Sequence, residues 1–258
     1  NIEGAIENSC NCFFYEAGYR MSLKDNGLTS ITSDNEEGKE TRTYYSSEQG
    51  LDTLKKYATM FGLGETSGLE IPESEPQISD DSSVPSAIGQ GTNNYTTSQL
   101  ARYITTVANK GNLFKLSLID KVTTIDGEMV KDYTPEQENT LTDISSSTWT
   151  AVHNGMKKVI SSAHPDMFAK LMASDVSLAG KTGTAQQSTT HPDHGLFVGF
   201  APSESPEIAF AIRIANGYSS NYAAEVGRYV MEYYYGVTPT EEILTGHAAK
   251  ITTSGGGD

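Results

Sequence analysis

Near the C-terminal end, three short runs rich in small and apolar residues, 178–185, 196–201 and 208–215, follow one another with turn residues between them. Parallel neighbours need a crossover of a dozen or more residues, and these connections are too short for one. The segment therefore reads as an antiparallel meander. A stretch of apolar-periodic sequence, 223–235, follows and stops at Gly236, which supplies a helix to cover the sheet. Any fold for this chain has to be built around that unit.

The upstream sequence reads as mostly helical. Residues 6–19, with Phe13, Phe14, Tyr15, Ala17 and Tyr19, fit a mostly buried helix. Residues 24–49 are polar and aperiodic and are expected to form a surface insertion. Leu51, Leu54, Tyr57, Ala58 and Phe61 recur at helical spacing before Gly62 and Gly64. Thr96 opens a helix with the apolar face Leu100, Tyr103, Ile104 and Val107, closed at Lys110-Gly111. Asp126-Gly127 marks a hairpin between 118–122 and 129–133. Trp149, Val152, Met156, Val159 and Ile160 mark another helix, and Met167, Phe168 and Leu171 a shorter one. The run Tyr233-Tyr234-Tyr235 is expected to pack on the sheet, and 251–258 to be a disordered tail after a domain spanning 1–250.

Charge narrows the partners. Lys and Arg total 18 against 33 Asp and Glu, a formal net charge of −15, so the field of the molecule repels phosphate backbones, and nucleic acid is excluded as a natural partner. Cys10 and Cys12 sit two apart on a helical stretch and point to opposite faces, which disfavours a mutual bridge and makes a poor zinc site. His191-Pro192-Asp193-His194 is read as a hairpin loop rather than a metal cluster, because Pro192 breaks helical spacing; neither metal nor cofactor is expected. No apolar run approaches the ~20 residues that cross a bilayer, and the start Asn-Ile-Glu-Gly has neither a basic n-region nor an initiator Met. The chain is expected to be a piece of a longer polypeptide whose anchor lies upstream.

Chemistry concentrates in two strings. Ala179-Gly180-Lys181-Thr182-Gly183-Thr184-Ala185-Gln186 puts a cation, two hydroxyls and a glycine on one strand, which suits an anionic, amide-containing ligand lying alongside it. A P-loop is excluded because its lysine follows the glycines and opens a helix. Ser9-Cys10-Asn11 offers a hydroxyl and an amide near a helix start, where a serine alone is usually a cap.

Taken together the two strings resemble the second and third motifs of class B penicillin-binding proteins, whose set is S-x-x-K, S-x-N and K-T-G. Phe61-Gly62-Leu63-Gly64, Gly68-Leu69-Glu70-Ile71-Pro72, Ala87-Ile88-Gly89-Gln90-Gly91, Gln99-Leu100-Ala101-Arg102-Tyr103, Ala108-Asn109-Lys110-Gly111 and Phe197-Val198-Gly199-Phe200-Ala201-Pro202 resemble the same family in the same order. The resemblance implies an α/β (α+β) fold of the β-lactamase/transpeptidase type: an antiparallel sheet flanked by helices plus a helical subdomain, incomplete at its N-terminal end. It implies a serine acyl-enzyme that cross-links peptidoglycan stem peptides at D-Ala-D-Ala and is blocked by β-lactams, working with cell-wall synthesis proteins on the extracytoplasmic face of a bacterial membrane. Ser9, Asn11 and Lys181 would be the catalytic residues present. Thr182, Gly183, Thr184 and Gln186 would bind substrate.

One motif is absent. No S-x-x-K occurs in the 258 residues; Thr53-Leu54-Lys55-Lys56 comes nearest and lies on a structural helix. The chain alone is therefore expected to be inactive, either as a piece of an active enzyme whose missing segment carries the nucleophile or as a pseudoenzyme. A D,D-carboxypeptidase, a serine β-lactamase relative and a non-catalytic penicillin sensor share the same motifs. Without the N-terminal segment, apolar surface and a bare strand edge should be exposed.

Overall fold

The computed structural model describes residues 1–23, 45–187 and 189–244, and the backbone of 31–35 and 38–42. The expected tail at 251–258 lies outside the described residues.

The meander is there. Strands β7 (Ala179–Ala185), β8 (His194–Ala201) and β9 (Ile208–Ile214) form an antiparallel sheet in that spatial order, so among the described residues β7 and β9 are its edges. In numbering these strands, β1 to β6 denote the shorter ones that precede them. Alternation gives the sheet two faces. Phe197 is fully buried on the face that carries Thr182 and Ile212, its ladder partners. Helix α8 (Ser220–Tyr234) crosses that face, and Gly227 lets it come close: a Cβ there would sit 2.6 Å from the Phe197 ring. Phe168, Leu171, Phe197, Phe200, Ala223 and Met231 make the centre of the core.

Lys181, Gly183 and Ala185 occupy the other face with Val198, Leu196, His194, Ala211 and Arg213. Helix α5 (Thr97–Ala108) packs against β8 and β9, and α6 (Ser146–Lys158) with its π-helical extension Val159–Ala163 packs against β7. Helix α5 starts at a complete capping box, with Thr96 and Gln99 bonding each other's backbone N–H groups, and it ends before Lys110 and Gly111, both at positive φ. Helix α3 (Ser47–Met60) ends before Gly62, and short α4 (Ser83–Ser86), α7 (Ala169–Ala173) and α9 (Thr240–Ile243) complete, among the described residues, the set that follows α1 (Ile2–Glu7) and α2 (Asn11–Met21). Strand β3 (Asn112–Phe114) pairs with β6 (Gln137–Thr140), and the Asp126-Gly127 turn closes β4 (Lys121–Thr123) on β5 (Met129–Asp132).

Four readings are revised. The single buried helix over 6–19 is two helices, α1 (Ile2–Glu7) and α2 (Asn11–Met21), and α2 buries only Gly18; Phe13, Tyr15 and Tyr19 are exposed. Gly18 is the contact because a Cβ there would lie 2.9 Å from Ala87 Cβ and 3.0 Å from the Ser83 carbonyl. The polar stretch 24–49 contains a paired hairpin, β1 (Ile31–Asn35) with β2 (Gly38–Arg42), and its last residues belong to α3, whose N-cap Ser46 accepts from the Gln49 N–H. His194 is not in a loop: the β7–β8 ladder runs on to pair it with Ala185. Of the three tyrosines, Tyr233 and Tyr234 face out, and only Tyr235 packs against the core.

Candidate active site

The position of Ser9 is set from two sides. Helix α1 docks on α6, where a Cβ at Gly155 would sit 2.9 Å from Ile6 Cβ. Glu3 fixes the rotation, accepting from Lys158 Nζ at 2.7 Å and Asn154 Nδ2 at 3.2 Å; these bonds hold its carboxyl below the usual carboxylate range. Because α6 in turn packs on β7, the chain leaving α1 is delivered beside that strand.

There the backbone turns sharply. The Asn8 side chain donates to the Gly4 carbonyl at 2.9 Å, the Cys10 N–H reaches back to the Ala5 carbonyl at 2.9 Å, and Ser9 adopts φ 47°. A left-handed conformation in a residue with a Cβ costs roughly 1–2 kcal/mol, so the surrounding contacts must hold it. The result is an exposed hydroxyl at the break between α1 and α2. Lys181 Nζ donates to Ser9 Oγ, joining residues 172 positions apart, and also donates to the Thr182 carbonyl at 2.7 Å.

The remaining residues singled out from sequence fall around this contact in different ways. Asn11 is the first residue of α2 and is exposed. Thr182 and Gly183 are half-buried in β7 and Thr184 is exposed, while Gln186 lies just past the strand's last residue. Gly183 is demanded neither by conformation nor by packing: its φ is not positive, and a Cβ would meet nothing nearer than Leu196 Cβ at 3.6 Å. Cys10 caps α2 without a side-chain bond and Cys12 is exposed; both thiols are free. Among the described residues no cluster of three His, Cys, Asp or Glu side chains could hold a metal ion.

A groove of about 1070 Å³ opens on the Lys181 face of the sheet, floored by Ala185, His194, Leu196 and Arg213 and walled by Tyr57, Phe61, Tyr95 and Tyr103. Gln186 and Gln187 form part of its rim; Ser9 and Lys181 do not line it. Burial pushes the Tyr95 phenol up to about 12, so it stays a neutral donor, bonded to Asn93 Oδ1 at 2.9 Å.

The family model for the penicillin binding protein transpeptidase domain matches residues 1–232. This chain belongs to that family. Penicillin-binding protein 2A of Bacillus subtilis is 28% identical over 91% of the chain, and peptidoglycan D,D-transpeptidase MrdA of Haemophilus influenzae is 26% identical over 91%. The chain spans about a third of the length of these curated relatives, 34% and 36%. The structure of penicillin-binding protein A from M. tuberculosis, a penicillin G acyl-enzyme complex, superposes with a TM-score of 0.69 over 90% of this chain and 48% of that one, at 23% identity. That likeness establishes the shared transpeptidase-domain fold.

Two features of this transpeptidase domain escaped sequence reasoning. Arg102, read as part of a family string on α5, is 2% exposed and bonds five groups from three segments. Arg213 and His194 floor the groove; cross-strand register puts them on the face that carries Lys181, and no local pattern fixes that register.

Proposed function

We propose that this chain is the substrate-strand part of a peptidoglycan D,D-transpeptidase that works through a serine acyl-enzyme and is acylated by β-lactams at the extracytoplasmic face of a bacterial membrane. The observation that carries the reading is the Lys181–Ser9 hydrogen bond at the open edge of β7. It brings the two sequence motifs together beside a strand with no partner on its outer side among the described residues. An extended peptide can add to such an edge.

In this reading the donor peptide lies along β7, and Gly183 leaves room for its backbone. Serine oxygen from an S-x-x-K segment attacks the D-Ala-D-Ala carbonyl, the amide C–N bond breaks, and D-alanine leaves after taking up a proton. An amine of a second stem peptide then attacks the ester and regenerates the serine. Ser9 relays the proton toward the leaving nitrogen, Asn11 holds a donor amide, and Lys181 supplies positive charge to the relay. Thr184 meets the substrate carboxylate and lends its N–H to the oxyanion, Thr182 sets the strand geometry, and Gln186 borders the same path. The names of the relatives, a D,D-transpeptidase and a penicillin-binding protein among them, support this assignment.

The test is labelling with a fluorescent penicillin. The 258-residue chain, which has no S-x-x-K, should remain unlabelled, and a polypeptide extended to include that motif should be labelled on its serine. Lys181 beside Ser9 makes the competing outcome concrete, because serine–lysine pairs can act as nucleophile and base. A covalent adduct mapped to Ser9 in the unextended chain would overturn the assignment.

A further inference from the structure

The Lys181 face of the sheet carries a second polar junction, at the far end of β7. His194 is buried there with both ring nitrogens engaged. The Asn216 backbone N–H donates to Nδ1 at 2.9 Å, and Nε2 lies 2.5 Å from Gln187 Oε1. A backbone N–H can only donate, so Nδ1 keeps its lone pair and the ring proton sits on Nε2, donated to Gln187. Arg213 on β9 brings Nη2 to 3.1 Å from the same nitrogen, a cation facing a donor.

Gln187 is exposed and lies beyond the end of β7, where its contact with His194 ties it to the sheet. We propose that His194, as the neutral Nε2–H tautomer, is a positioning residue that anchors Gln187 and so fixes the Gln186–Gln187 rim against which a peptide lying on β7 would end. This rests on the reading of β7 as the peptide strand.

The junction is pH-sensitive in a definite direction. A second proton would turn Nδ1 into a donor facing the Asn216 N–H and break that bond. Burial first, then the Arg213 charge, hold His194 below its ordinary value of 6.5, and Asp193 pulls the other way. In the folded protein the Asn216 bond, which orients the ring and through it the anchor on Gln187, survives through pH 6.5 and is lost only as the pH falls through the lowered value, while Nε2–H remains a donor throughout. The contribution of that bond to stability is full above 6.5 and declines between the two values.

Two measurements test this on the chain itself. Long-range ¹H–¹⁵N spectra of the imidazoles should show His194 protonated on Nε2 alone at pH 7.5, with a titration below the ordinary histidine value. Binding of a short peptide ending in D-Ala-D-Ala should weaken as His194 titrates, and by about three- to tenfold at pH 7.5 in Gln187→Ala, a surface change that spares folding. His194→Gln keeps an N–H donor that does not titrate, so its affinity should be flat with pH. An Nδ1–H tautomer, or Gln187→Ala with unchanged imidazole signals and affinity, overturns the positioning role. If no variant binds peptide at any pH, the reading of β7 fails and the role falls with it, whereas peptide binding without the tautomer signature sinks the role alone.

Discussion

Lys181→Ala, made in a polypeptide that also carries an S-x-x-K segment, should slow acylation by penicillin at least about 100-fold, the scale of losing one preorganised charged donor from an acyl-transfer site. The ammonium is held at two points, Ser9 Oγ and the Thr182 carbonyl, so it needs no reorganisation when charge develops nearby. Lys181→Arg should recover only part of the rate, because a planar fork cannot place one N–H where a compact ammonium sits. Stopped-flow acylation rates give the effect, and a thermal melt separates it from unfolding. A loss under threefold with an unchanged melt would mean that Lys181 lies outside the chemistry.

The largest stability effect should come from Arg102→Ala. Nε donates to the Phe114 carbonyl at 2.9 Å, Nη1 to the Thr66 carbonyl at 3.1 Å, and Nη2 to Glu65 at 3.1 Å and to Glu138. This one side chain ties α5 to the turn after α3, to β3 and to β6. Truncating it leaves backbone carbonyls without their donor and the part-buried Glu138 carboxylate with only the 3.9 Å ion pair to Lys115, on a scale of about 3–5 kcal/mol for a buried ion pair that loses one partner. Urea denaturation should show that loss, and pairing Arg102→Met with Glu138→Leu should return much of it, since the uncompensated charge is then gone. A cost below about 1 kcal/mol would place the hub's stabilisation elsewhere.

What the sequence made legible is what local chemistry encodes. The meander was readable because connections of eight and six residues are too short for a parallel crossover, and α5 because Thr96 opens an apolar-periodic stretch that Lys110-Gly111 closes. The break at Ser9 was not: a serine at positive φ, without glycine or proline, leaves no trace in the letters, and the aromatic residues after it imitate a buried face. The residues 191–194 carry a proline and charged neighbours that read as loop, but register with β7 draws His194 into the sheet and buries it. Arg102 looks like an ordinary charge on a helix until backbone carbonyls from distant segments converge on it. The contact between Lys181 and Ser9 could be anticipated only through the family resemblance, since it depends on α1 docking on α6 and α6 on β7, two long-range packings that no local pattern specifies.

If the stretch around Ser9 and Asn11 and the strand around Lys181 are two walls of one peptide-binding cleft, a single ligand must touch both. Titrating the ¹⁵N-labelled chain with a short peptide ending in D-Ala-D-Ala, and following every backbone amide, tests it without any need for a nucleophile. Shifts should gather at residues 9–12 and 180–187 together and saturate with one affinity. Shifts confined to one of the two segments, or saturating with different affinities, would contradict it.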